Sequence, residues 1–121
     1  MSNDVVTLRG VEVFAHHGVF DEERAVGQTF VIDVVASIDL ESAAGSDDLH
    51  DTLDYGQLVS AIHERVSSEQ WNLIERVAER VAELVLDDER ITQVAVTIHK
   101  PEAPIAVTST DISVSITRAR K

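Results

Sequence analysis

Apolar and polar residues alternate along Gln28–Leu40. Phe30, Ile32, Val34, Ala36, Ile38 and Leu40 fall on one side, and Val31, Asp33, Val35, Ser37 and Asp39 on the other. That period of two predicts a long strand with one buried face. Upstream, Val5–Phe14 is rich in β-branched residues and interrupted at Gly10, which predicts a strand carrying a bulge. Near the other end, Val94, Val96 and Ile98 alternate with Gln93, Ala95, Thr97 and His99. Ile112, Val114 and Ile116 likewise alternate with Ser113, Ser115 and Thr117, giving two further strands. From Asp54 the period becomes helical. Leu58, Ile62 and Val66 repeat with Val59 and Ala61 beside them, and Asp54 with Gln57 forms a capping signature. After Trp71, a stripe of Ile74, Val77, Ala78, Val81 and Val85 predicts a second helix, with Asn72 and Glu75 as its capping box. The resulting order is ββααββ: an α+β fold with an antiparallel sheet and two helices on one face, in one domain over residues 1–121.

This arrangement leaves three things open. Val31, Val35, Ala95 and Val107 are apolar positions that two helices do not cover, and an open four-stranded sheet has two exposed edges. Closing several subunits edge to edge into a β-barrel answers both needs. The acids Asp87–Glu89 sit where a helix ends, against the preference of its macrodipole. Finally, the polar stretch AHHGVFDEERAVGQ between the first two strands is longer than a hairpin turn needs, and loops of that length often carry function.

Composition removes whole classes of chemistry. No cysteine occurs among the 121 residues, so disulfides, thiolate metal sites and cysteine nucleophiles are excluded. Twenty-two acids against 10 bases give a net charge of −12, which argues against nucleic acid or an anionic membrane as partner. No apolar run reaches membrane-spanning length, and no basic-then-apolar leader opens the chain, so a cytoplasmic protein is expected. The histidines at 16, 17, 50, 63 and 99 form no HxH or HxxxH pair, so no metal is expected. His63 reads as a helix-surface residue and His17 as one that orders its loop. Lysine occurs only at Lys100 and Lys121, and tyrosine only at Tyr55.

Four polar segments flank the regular elements: HHGVFDEERAVGQ, SDDLHDTLDYG, NLIERVAERVAE and VTIHKPEAPI. In this order and spacing they resemble dihydroneopterin aldolase of folate biosynthesis, from about Leu8 to Ile116. The H-G-V-x-x-x-E-R-x-x-G-Q and K-P-x-A-P-I signatures are specific when they occur together. The resemblance implies the T-fold (tunnelling fold) and a homo-octamer of two stacked tetrameric rings, with active sites between subunits. It implies a lyase that cleaves 7,8-dihydroneopterin into 6-hydroxymethyl-7,8-dihydropterin and glycolaldehyde. It also implies an isomerase side activity at C2′ and, in some members, release of an oxidised pterin with dioxygen. No cofactor is implied, because the ring's own C=N bond next to the side chain accepts the electrons that other aldolases send to a Schiff base or a metal.

The resemblance also assigns residues, each with a plainer alternative. Lys100 matches the acid–base lysine that deprotonates the 2′-hydroxyl, directly or through water; otherwise it is a strand-end lysine blunting a sheet edge. Tyr55 matches a tyrosine that stacks on the pterin from a neighbouring subunit and delivers a proton; otherwise it anchors the first helix. Glu75 matches the pterin anchor, helped by the backbone of Leu73 and Ile74, since a carboxylate pairs with two adjacent N–H donors. Its alternative is the capping box with Asn72. Glu23 matches the glutamate near the substrate's side chain and the lysine; otherwise it is a solvated acid paired with Arg24. Thr52 and Leu53 line the same pocket from the partner subunit.

Two other functions compete with the aldolase. A dihydroneopterin triphosphate epimerase would need several cations at the pocket mouth, where only Arg24 and Lys100 are at hand. A non-catalytic pterin-binding assembly module would predict a missing lysine or tyrosine, and both are present.

Overall fold

The structure is a computed structural model and describes residues 3–120. Its sheet has four antiparallel strands in the spatial order of the chain: β1 (Val5–Ala15), β2 (Gln28–Ser37), β3 (Gln93–His99) and β4 (Ser113–Ala119). Two long helices, α3 (Tyr55–Ser68) and α4 (Ile74–Leu86), follow β2 and precede β3. The bare ββααββ order needs correcting, because two short helices intervene: α1 (Asp21–Val26) between β1 and β2, and α2 (Glu41–Ser46) after β2. Six residues make fewer than two turns, too few to print a 3.6-residue period on the sequence.

The alternation in β2 is realised residue by residue. Phe30, Ile32, Val34 and Ala36 are buried beneath the helices, while Val31, Asp33, Val35 and Ser37 are only half-buried on the opposite face. Val94, Val96 and Ile98 of β3 join the same core, as do Ile62 and Val66 of α3 and Val77, Ala78, Val81 and Val85 of α4. Each large apolar side chain so buried stabilises the fold by roughly 2 kcal/mol. At Gly10, with φ 74°, the β1–β2 register shifts between Leu8 and Val11, so the expected bulge is present. Its freed amide donates to Asp33 Oδ1 at 2.8 Å.

Helix ends differ from expectation in two places. Asp54 caps α3 as its spacing suggested, accepting from Gln57 N at 3.1 Å. Asn72 does not cap α4; Leu73 takes that place without a side-chain bond. The acidic C-terminus of α4 is neutralised from elsewhere in the chain. The Arg120 guanidinium donates to the carbonyls of Leu86, Asp88 and Ile91, and Arg90 pairs with Asp88 at 2.7 Å.

Candidate active site

Lys100 follows directly on β3, an inner strand of the sheet, so it blunts no edge. Its amine lies 2.6 Å from Glu23 Oε2, with 14% of the lysine side chain and 7% of the glutamate side chain exposed. Helix α1 delivers Glu23, whose Oε1 accepts from Phe20 N at 3.3 Å and whose Oε2 accepts from Gln28 Nε2 at 3.1 Å. Burial pushes the Glu23 carboxyl up, but the Lys100 contact and the two N–H donors outweigh it and hold it below the usual carboxylate range. The alternative pairing with Arg24 does not form. Arg24 donates to the carbonyls of Gly18 and Val19 and pairs with Asp21.

The turn ahead of α1 is built around that carboxylate. A Cβ on Gly18 would sit 2.5 Å from Glu23 Cδ and 2.7 Å from its Cβ, so only glycine leaves room. His17 is fully buried behind it. Its Nδ1 accepts from Trp71 N at 3.0 Å, which places the proton on Nε2, donated to Val66 O at 2.9 Å. Burial pushes its pKa down, so the ring is neutral and orders the turn, as expected. Gly18 N donates to Trp71 O at 2.9 Å, so both backbone groups of Trp71 are tied to the His17–Gly18 turn. After this tie the chain stays extended through Leu73, at φ −120° and ψ 139°, and the helix begins at Ile74.

Through Trp71 the segment Leu73–Ile74–Glu75 is brought to the Glu23 end of the sheet. Glu75 is exposed in the first turn of α4 and, with no cap formed, its carboxylate has no hydrogen bond or ion pair among the described residues. Leu73 is half exposed and Ile74 is 8% exposed. Beside this region a cleft of about 530 Å³ is lined by Phe14, Phe20, Glu23, Gln28, Glu102 and Pro104 among others. Gln28 was read only as part of a motif. Its Nε2 donates to Glu23, and its buried Oε1 has no hydrogen-bond partner among the described residues.

Tyr55, Thr52 and Leu53 lie elsewhere. Tyr55 stands eleven positions along α3 from Val66, where His17 touches the helix, an axial span of roughly 16 Å. Thr52 O accepts from Arg90 Nη1 at 2.8 Å near the opposite end of the sheet. Tyr55 is 63% exposed and Leu53 buried. A cleft of about 620 Å³ there includes Thr52, Leu53, Gln57 and Arg90. The site residues expected from the sequence therefore fall into two separate groups. Lys100, Glu23, Glu75, Leu73 and Ile74 gather at one end of the sheet, and Tyr55, Thr52 and Leu53 at the other. Among the described residues no group of three or more His, Asp or Glu side chains is placed to hold a metal ion, and no helix is long and apolar enough to cross a membrane.

A four-stranded antiparallel sheet backed by two long helices is an α+β arrangement of the T-fold kind, and a lysine–glutamate pair lies buried at the end of an inner strand. A family model described as dihydroneopterin aldolase matches residues 6–117, and the chain belongs to that family of aldehyde-lyases. It is 44% identical to the dihydroneopterin aldolase of Streptomyces coelicolor over 117 residues, 97% of this chain and 98% of that one. It is 36% identical to the Bacillus subtilis enzyme over 118 residues, 97% of this chain and 98% of that one. The Escherichia coli dihydroneopterin aldolase, solved in complex with neopterin, superposes with a TM-score of 0.89 at 33% identity, covering 96% of this chain and 99% of that chain. A uricase from Bacillus fastidious shares the fold alone, with TM-score 0.72 at 9% identity; all of this chain matches 48% of that one.

Proposed function

We propose that this protein cleaves 7,8-dihydroneopterin into 6-hydroxymethyl-7,8-dihydropterin and glycolaldehyde, a step of folate biosynthesis in the cytoplasm, with residues 1–121 acting as one catalytic unit. The observation that carries this reading is the Lys100–Glu23 pair, buried at 2.6 Å in a chain of this family. The amine takes the proton of the 2′-hydroxyl. The C1′–C2′ bond then breaks, releasing glycolaldehyde, and its electron pair moves into the C=N bond of the ring. Protonation of the resulting enamine at C1′ completes the product. Glu23, held ionised beside the amine, fixes the nitrogen in place for that transfer. Recapture of the released aldehyde on its other face accounts for an epimerase side activity at C2′.

Glu75 anchors the ring through two parallel acceptor bonds, with the backbone of Leu73 and Ile74 at the ring's polar edge. Its freedom from a capping role supports this. Tyr55, Thr52 and Leu53 reach the ligand from a second copy, since α3 alone holds Tyr55 too far from Val66 and the Glu23 end. That requirement supports a homo-oligomer closed through the β1 and β4 edges into a barrel, two tetrameric rings making an octamer. No cofactor is needed, because the substrate's ring is the electron sink.

The test is incubation with 7,8-dihydroneopterin in EDTA, measuring glycolaldehyde. Wild type is expected to release it undiminished, and Lys100→Ala to lose about 10³-fold in kcat. An active Lys100→Ala would overturn the lysine's role, and product lost on adding EDTA would overturn the metal-free route. A triphosphate substrate is disfavoured by the cleft itself, which Glu22, Glu23 and Glu102 line while Arg24 is already engaged.

A further inference from the structure

Directly before Lys100, on the sheet face away from the helices, His99 makes a bridge that the acid–base reading does not use. Its Nε2 lies 2.7 Å from Asp33 Oδ2 and its Nδ1 2.7 Å from Asp111 Oδ2. The register explains the reach. His99 pairs with Val31 and Ser113, so Asp33 and Asp111 are its diagonal neighbours on the two flanking sides. Two carboxylates accept and neither donates, so both ring nitrogens carry hydrogen. Asp33 and Asp111 accordingly hold the pKa of His99 above its ordinary value, in that order of strength. Asp33 also accepts from the bulge amide of Gly10, with the charge of Arg9 nearby. Lys100 N donates to Ile112 O at 2.7 Å, so the whole 101–111 excursion leaves and returns at this point.

We propose that His99 is a positioning residue: clamped between Asp33 and Asp111, it fixes the backbone from which Lys100 and the 101–111 segment spring, and so sets the amine against Glu23. This rests on Lys100 being the proton-moving group. The bridge pulls on one side of the strand end and the Lys100–Glu23 contact on the other. Removing the bridge frees the backbone at the root of the lysine without touching the ring anchor at Glu75.

The experiment measures glycolaldehyde release from 7,8-dihydroneopterin by His99→Leu, His99→Arg, Asp111→Asn and Lys100→Ala, with thermal unfolding of each. Lost placement of a reacting group costs up to about 10²-fold, so His99→Leu is expected to lose about tenfold and Asp111→Asn about threefold. The loss falls in kcat, with KM within about twofold, because the anchor is undisturbed. His99→Arg, which keeps two donors and the charge, is expected to recover to within about threefold of wild type. A kcat at the wild-type level in His99→Leu, or no recovery in His99→Arg, overturns the proposal. If His99→Leu fails to fold, Asp111→Asn on the surface decides alone, and wild-type kcat there overturns it. An active Lys100→Ala defeats the underlying lysine reading instead, whatever the His99 variants do.

Discussion

The two ends of the sheet are built on different principles. At the Lys100 end, charge is drawn inward and satisfied: Glu23 is held by an amine, a backbone N–H and an amide, and His17 is fixed in one tautomer between the backbone of α3 and that of the loop after it. At the Tyr55 end, the polar groups face outward. Tyr55 is exposed, His50 and Asp48 pair on the surface, and Arg90 fastens the Thr52 turn to the end of α4. A group that moves protons must be pre-positioned and shielded, whereas a group that meets a ligand held by another chain must project. The contrast is the one expected if, as proposed, one end is the proton site and the other the face offered to a neighbour.

The strongest way to break that division is to split the two ends between chains. Lys100→Ala and Tyr55→Ala are each expected to lose 10²-fold or more in kcat. If one site takes its amine from one chain and its phenol from another, mixing the two variants through a dissociation and reassembly cycle restores intact sites. Random assortment makes about a quarter of the sites whole, so about a quarter of wild-type activity should return. A mixture as inactive as its components would show that both groups act within one chain.

A second variant sharpens the claim that the Lys100 end is pre-positioned. Gly18→Ala places a Cβ within contact-forbidden distance of both Cβ and Cδ of Glu23, so the carboxylate has to leave its present place. Displacing one half of the proton pair by about 1 Å should lower kcat by roughly ten- to a hundredfold. The melting temperature should fall as well, because the substitution strains the turn and displaces Glu23 from its buried partners. A Gly18→Ala enzyme with normal kcat would mean the placement of Glu23 is immaterial.

These contrasts were unevenly legible in the sequence. The strands and long helices announced themselves because each repeats its pattern over several residues, and the Lys100 and Glu23 signatures were readable as motifs. What escaped depends on contacts between distant positions. Asn72 looked like a cap because it stands three residues before Glu75, but Trp71 is held on both sides by His17 and Gly18, more than fifty residues away. The acids after α4 looked unbalanced because the arginine that answers them, Arg120, arrives just after the last strand. Helices α1 and α2 are too short to carry a period. That Tyr55 and Lys100 face different ends was implied by resemblance alone until α3 supplied the distance.

Proton linkage separates the ends of the pH scale in the same way. The Arg80 guanidinium grips Glu69 at 2.7 Å and, against burial and with help from Trp71 Nε1, holds its carboxyl at about 2. That lowered value contributes stability above the unfolded value of about 4.3, and the contribution is lost as pH falls from there toward 2. Glu23 shifts in the same direction, so acid weakens both supports of the Lys100 end. His99 shifts upward, so its contribution is complete below about 6.5 and fades as pH rises through its raised folded value. Urea midpoints measured from pH 2 to 9 should therefore fall at both extremes. In Glu69→Gln the acid-side loss should shrink while the alkaline side keeps its slope.

The smallest effect is expected at the far end of the sheet. Arg120 donates from Nε to Ile91 O and from Nη2 to Leu86 O and Asp88 O, at and just past the C-terminus of α4, beside the negative end of the helix dipole. Arg120→Ala removes those bonds but exposes the carbonyls to water, which replaces most of what is lost, so the net cost should be about 1 kcal/mol. The urea midpoint should drop with an unchanged m-value, because the surface exposed on unfolding is nearly the same. Glycolaldehyde release should not move, since no proton-bearing group is touched. A fall in kcat without a fall in stability would place part of the chemistry at this end and erase the distinction between a buried proton site and an outward docking face.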